Sequence, residues 1–192
     1  MPTDDKSRWN EKYTQGSHSW ETPDDFLAQA YEKFVEGAAP GRALDLAGGA
    51  GRHSLWLARR GWQVTLLDVS DVGVSLAQTK AREAGVSLDA RVADLHDAGA
   101  ALGGPYDLIV VFFFLHRPLF PAILKALKPG GHLIYKTYTI GQLQFDKGPR
   151  DAEFLLQYGE LQKSFSELEM LHYREMVTEE EKAVVEMVAR KD

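Results

Sequence analysis

At 192 residues, with a net charge of −6 and no cysteine, the chain is sized for one domain with a substantial core. It lacks the surplus of Lys and Arg that a nucleic-acid surface needs. The missing thiols rule out a disulfide framework, a thiolate zinc site and a cysteine nucleophile.

Residues 1–22 are polar with interspersed aromatics, Trp9, Tyr13 and Trp20. Two readings stand: a loose arm whose rings patch the core edge, or a cap over a ligand mouth. The opening MPTDDKSRWNEKY is too polar and acidic for a signal peptide, and the longest apolar run, Leu108 to Leu115, is strand-sized. A cytoplasmic protein without a membrane partner is therefore expected. From Pro23 a helix is predicted to run to Gly37, with Phe26, Ala30, Phe34 and Val35 on its apolar face. Residues 1–37 form a cap arm and helix in this reading, and 40–192 the core of the same single domain.

The stretch from Arg42 to Ser70 then reads as strand, glycine-rich turn, helix and second strand. Ala43, Leu44 and Leu46 surround Asp45; Gly48, Gly49 and Gly51 follow; Leu55, Trp56, Leu57 and Ala58 mark the helix; Val64, Leu66 and Leu67 lead to Asp68. Ser70 can cap the next helix with Asp71 in its first turn. A third strand is predicted over Val86–Ala93, a buried fourth from Asp107 through Leu115, a helix over Pro118–Leu127 and a fifth strand in HLIYKTYT. A helix is expected over Asp151–Phe165. The runs LEMLHYREMVT and KAVVEMVAR, separated by a short polar turn, require an antiparallel hairpin. The alternation implies an α/β doubly wound sandwich.

Glycines between strand and helix let the backbone approach a ligand, and an acid about 20 residues further on suits a ribose diol. Ser54 stands where a dinucleotide fingerprint has its third glycine, and no Gly-Lys-Ser/Thr follows for a phosphate loop. Asp45 just before the turn would repel a diphosphate and welcome an ammonium or sulfonium cation. The residues thus point to a nucleoside that carries positive charge.

LDLAGGAGR followed by VTLLDVS resembles motifs I and II of the class I S-adenosylmethionine-dependent methyltransferases, with Ala47 where that family has glycine. The resemblance implies a Rossmann-like, seven-stranded, mostly parallel sheet in the order 3-2-1-4-5-7-6. It also implies S-adenosylmethionine as cofactor. Asp45 would anchor the methionine end with Ala47, Gly48, Gly49 and Gly51, and Asp68 the ribose. Val69, Asp94 and Leu95 would hold the adenine, and Phe112 and Phe113 the floor. Each has a plainer alternative, Asp68 as a turn acid, Asp94 as a loop acid, Val69 as a core valine.

His116 and Arg117 lie where methyl acceptors sit in this fold. His116 can be a catalytic base or positioner, or an ordinary strand-end residue; Arg117 can hold an anionic substrate or pair with a surface acid. A lid over the acceptor is expected from Trp9, Tyr13, Trp20 and the 141–150 loop, with Phe145 and Arg150 facing in. The histidines have no metal-ligand spacing, so no metal is expected. RWNEKY, LHRPLFP, GGHLIYKTYTIGQLQFDKGPRDAEFLL and YGEL resemble the small tellurite-resistance-type bacterial methyltransferases. A small acceptor, a metalloid oxyanion or a thiol, is what that resemblance implies. The alternatives are a non-catalytic S-adenosylmethionine-binding protein and a nucleotide-dependent oxidoreductase; Ser54 and the terminal hairpin speak against the latter.

Overall fold

The structure, a computed structural model, describes residues 2–17, 21–97 and 102–192. Its framework is a seven-stranded sheet of β1 (Arg42–Leu46), β2 (Gln63–Asp68), β3 (Asp89–Val92), β4 (Tyr106–Phe112), β5 (Leu127–Tyr138), β6 (Glu169–Val177) and β7 (Ala183–Arg190). The strands lie in the order β3-β2-β1-β4-β5-β7-β6, the first five parallel and β7 antiparallel to both β5 and β6. This is the expected sheet, hairpin included. Six α-helices accompany it among the described residues: α1 (Pro2–Thr14), α2 (Asp25–Phe34), α3 (Arg52–Ala58), α4 (Asp71–Glu83), α5 (Phe120–Ala126) and α6 (Glu160–Ser164). None of them is long and apolar enough to cross a membrane.

Strand periodicity explains why the central runs are apolar throughout. Successive side chains point to opposite faces, and both faces are covered. Leu44, Leu46, Ile109, Val111, Leu133 and Tyr135 pack on one side with α5, Leu161 and Phe165. Ala43, Val64, Leu108, Val110, Phe112 and Ile134 pack on the other with Phe26, Leu27 and Ala30 of α2 and with Leu57 and Trp62. Each fully buried aliphatic side chain contributes about 1.5–3 kcal/mol, so these two layers fix the register of every central strand.

Several boundaries differ from expectation. The fourth strand stops at Phe112 because Phe113 turns into the left-handed region, at φ 55°. The third is shorter, Asp89–Val92. The second helix starts after Asp24, whose side chain accepts a hydrogen bond from the Phe26 N–H, and ends at Phe34. The fifth strand takes in Lys128–Gly131, with a register shift opposite Tyr106 and Leu108. The helix expected over Asp151–Phe165 is instead a 3-10 turn (Ala152–Phe154), a bridge from Leu156 to Thr139 and the short α6. Leu155 is extended, at φ −121° and ψ 127°, Leu156 pairs with Thr139, and Gly159 at φ 74° breaks the run.

Ser70 caps α4 as its position suggests, its Oγ accepting from the Gly73 N–H at 2.9 Å. The same hydroxyl donates to Asn10 Oδ1 at 2.6 Å, and Asn10 Nδ2 donates to Asp71 Oδ1 at 2.7 Å. One asparagine of α1 thereby docks that helix on the start of α4. Losing such a contact costs about 1 kcal/mol, so Asn10→Ala should speed amide exchange in α1 about fivefold while β1 and β4 exchange at the parental rate, as read by hydrogen–deuterium exchange.

Candidate cofactor and acceptor cleft

A cleft of about 1410 Å³ opens beyond the carboxyl ends of β1, β2, β4 and β5, where the strand order reverses. Its base is the turn after β1. Ala47 and Gly49 both lie in the left-handed region, at φ 54°, and Gly51 opens α3 at φ 82°. At Gly49 the need for hydrogen in place of a side chain is steric as well, since a Cβ would fall 1.9 Å from the Tyr13 hydroxyl oxygen. At Gly51 a Cβ would come within 2.8 Å of the Ala77 Cβ, so the turn and α4 close on each other there.

Two carboxylates hold this turn. Asp68 Oδ2 accepts from the Gly49 N–H and its Oδ1 from the Ser70 N–H, each at 2.8 Å. Burial raises the Asp68 pKa, and these two backbone hydrogen bonds oppose the rise. Asp45 lies directly behind Gly48, 1% exposed, with Oδ2 accepting from the Ser54 hydroxyl at 2.7 Å. Its Oδ1 is buried with no hydrogen-bond partner. Burial pushes Asp45 up from 3.8 to about 7, against the pull of Ser54 and Arg52. The native state thus holds a proton that the unfolded chain releases between pH 4 and 7. Stability from this group is fullest at the acid end of that window and falls as the pH rises through it. A buried carboxylate oxygen without a donor, beside a turn that lines a cleft, fits the ammonium end of a methionyl group.

The roof is α1. Trp9 and Tyr13 stack at 5.9 Å between ring centroids, Lys12 lies 4.3 Å over the Trp9 ring, and the Tyr13 hydroxyl sits over Gly49. Burial, with Asp68 and Asp45 nearby, raises the Tyr13 pKa, so the phenol keeps its proton.

The wall under β5 carries groups that sequence reasoning missed. Lys136 Nζ lies 2.9 Å from Asp24 Oδ1 and 3.0 Å from Glu186 Oε1, Glu186 being its cross-strand neighbour on β7. Burial alone would lower the Lys136 pKa, but the two carboxylates prevail and raise it. Asp24 also donates its N–H to His53 Nε2 at 3.3 Å. Burial and the nearby Arg52 and Lys136 charges hold His53 well below its ordinary value, so its ring is a neutral acceptor, packed 4.3 Å from Phe112. A lysine inside the apolar run HLIYKTYT was the available signal, since a cation in a central strand needs a carboxylate partner.

Of the residues singled out from the sequence, Ala47, Gly48, Asp68, Val69, Leu95, Phe112 and Phe113 line the cleft, as do Trp9, Tyr13 and Arg150. Asp45, Gly49 and Gly51 form the turn beneath it, and Asp94 Oδ1 accepts from the His96 N–H. Trp20 falls outside the described residues. Three further candidates stand outside this lining. Arg117 does not face the cleft: its guanidinium grips Glu160 through two nitrogens and donates to the carbonyls of Glu153 and Leu155 at 3.0 and 2.9 Å, pinning the 152–160 segment. His116 is set edge-on against His96, 4.5 Å between ring centroids, and not in the cleft wall. Phe145 is likewise absent from the lining; its carbonyl instead accepts from Arg150 Nη1 at 2.6 Å.

The fold is shared with solved S-adenosylmethionine-dependent methyltransferases, among them one from Clostridium acetobutylicum at a TM-score of 0.68 and 16% identity. Residues 25–187 match the family model described as tellurite resistance protein TehB, and the chain belongs to that family. A probable S-adenosyl-L-methionine-dependent methyltransferase TehB of Haemophilus influenzae is 32% identical over 148 residues, 73% of this chain and 50% of the relative. A ubiquinone biosynthesis O-methyltransferase of Xanthomonas axonopodis pv. citri is 34% identical over 122 residues, 61% of this chain and 51% of the relative. The chain thus spans about half the length of these relatives. Among solved structures, magnesium protoporphyrin IX methyltransferase from Synechocystis PCC 6803 with bound S-adenosylhomocysteine superposes with a TM-score of 0.79 at 16% identity, covering 100% of both chains. TehB from Haemophilus influenzae gives 0.76 at 19% identity, over 95% of this chain and 67% of that one.

The left-handed Ala47 is a strained position, costing about 1–2 kcal/mol, of which glycine would recover a part. Ala47→Gly should therefore raise stability by about 1 kcal/mol and the midpoint of thermal unfolding by about 2–4 °C, measured by calorimetry.

Proposed function

We propose that the protein transfers a methyl group from S-adenosylmethionine to a small-molecule acceptor. The observation that supports this reading most is the pairing of Asp45 and Asp68 around one backbone turn, the first with a buried oxygen lacking a donor, the second fixing the turn itself. Asp45 would hold the ammonium of the methionyl group, and Asp68 retains lone pairs for the ribose hydroxyls. Val69 and Leu95 would cover the adenine faces, with Asp94 at its edge. S-adenosylmethionine, when bound, supplies a methyl group already made electrophilic by its sulfonium. The remaining work is positioning and water exclusion by the protein. Phe112 and Phe113 would floor the cleft, and Trp9, Tyr13 and Arg150 would close over its acceptor end. A thiol or a metalloid oxyanion suits such a site because it attacks without a strong base. The net charge of −6 favours a small molecule over nucleic acid.

Calorimetric titration with S-adenosylhomocysteine tests the cofactor assignment. Asp68→Ala should bind at least about 100-fold more weakly, the loss of two charge-assisted hydrogen bonds, while its circular dichroism stays native. Unchanged affinity would remove the ribose assignment, and a wild type that binds no S-adenosylhomocysteine would remove the function.

A further inference from the structure

At about 1410 Å³ the cleft exceeds the roughly 300–1,000 Å³ that holds a single small ligand, which leaves room for an acceptor of more than a few atoms. Past the ends of β4 and β5 the cleft continues beyond the cofactor floor into a part that shares only Phe113 with it. Its apolar surface is Phe113, Tyr138, Phe154 and Met176, and its cations are Arg150 and Lys182. Phe113 is held at φ 55°, its N–H donating to the Lys136 carbonyl at 2.7 Å. An aromatic residue in that region costs about 1–3 kcal/mol and persists only where its surroundings impose it. The result is a ring set against Tyr138, 5.2 Å between centroids, with the Lys136 and Lys182 amines 6.0 and 5.9 Å from its centre.

Two hydrogen-bond donors here lack an anionic partner among the described residues. Among the described residues no partner holds the Tyr138 hydroxyl; its ring packs against Phe113, and burial raises its pKa, so it remains a donor. Arg150 donates to the Phe145 carbonyl and makes no ion pair. The acids on the same stretch are otherwise engaged or solvated. Asp151 caps its own turn through the Glu153 N–H, Glu180 pairs with Lys182, and Glu179 is exposed.

We propose that this end of the cleft is an acceptor subsite for an organic anion with a flat apolar body, its ring on Phe113 and Tyr138 and its carboxylate held by Arg150 and the Tyr138 hydroxyl. A bare inorganic oxyanion would use the donors and leave the aromatic wall in water. The proposal rests on the methyl-transfer reading above, and the experiment separates the two. Protein saturated with S-adenosylhomocysteine is titrated calorimetrically with 2-mercaptobenzoate, thiophenol and tellurite. The aromatic acid should bind at least about tenfold more tightly than thiophenol, a charge-assisted hydrogen bond's worth, and more tightly than tellurite. Arg150→Met should erase the preference over thiophenol, and Tyr138→Phe should weaken the acid about three- to tenfold, while both keep S-adenosylhomocysteine affinity within about twofold of wild type. Equal binding of acid and thiophenol, tighter binding of tellurite, or a preference that survives Arg150→Met overturns this proposal alone. Failure of the wild type to bind S-adenosylhomocysteine overturns both readings.

Discussion

The structure turns on a carboxylate that folding buries without fully satisfying. Asp45 is held by one hydroxyl, from Ser54, and its other oxygen has no donor. An uncompensated buried polar atom costs about 1–3 kcal/mol, and in a packed α/β core nothing local repays it. The turn around it is distorted at consecutive points, Ala47 and Gly49 left-handed and Gly51 closed on Ala77. Strain and desolvation gathered at one place are what a binding site looks like before its ligand restores the balance. A cation supplied from outside would relieve both the missing hydrogen bond and the unfavourable charge.

Other tertiary ties arrange the rest of the molecule around that point. Asn10 docks α1 on the Ser70 cap, which brings Tyr13 over the turn. Lys136 joins the start of α2 to β5 and β7 through Asp24 and Glu186. Such a buried ion pair adds little net stability, because desolvation offsets the attraction; its effect is to specify where Asp24 sits. Arg117 does the same for the 152–160 segment, whose backbone is also joined to the sheet by the Leu156 bridge and by the Gly159 N–H donating to Glu175 of β6. The three ties leave the roof, the β5 wall and the far lip in fixed places around the cleft.

Local periodicity and turn chemistry carried most of the fold in the sequence. Apolar runs bounded by glycine gave the strands, Ser70 followed by Asp71 gave the cap, and the short polar link after Val177 forced the hairpin. Asp45, Asp68 and the glycines between them were legible because a βα turn places them by chain geometry alone. What escaped depended on partners distant in sequence. Arg117 reads equally as a substrate holder or as the partner of a surface acid until the segment carrying Glu160 folds back on it. Leu155 and Leu156 read as helix until Leu156 pairs with Thr139, a residue distant in sequence. Lys136 gains meaning only from Asp24 and Glu186, and the left-handed Phe113 has no sequence signature at all.

The most direct test is the ionisation of Asp45 itself, followed by carbon NMR of its side-chain carboxyl. In the free protein its midpoint should lie at about 7, and saturation with S-adenosylhomocysteine should lower it by more than about two units, as an ammonium beside a buried carboxylate requires. A midpoint near the ordinary 3.8 in the free protein, or one that does not move when the ligand is added, would contradict the account.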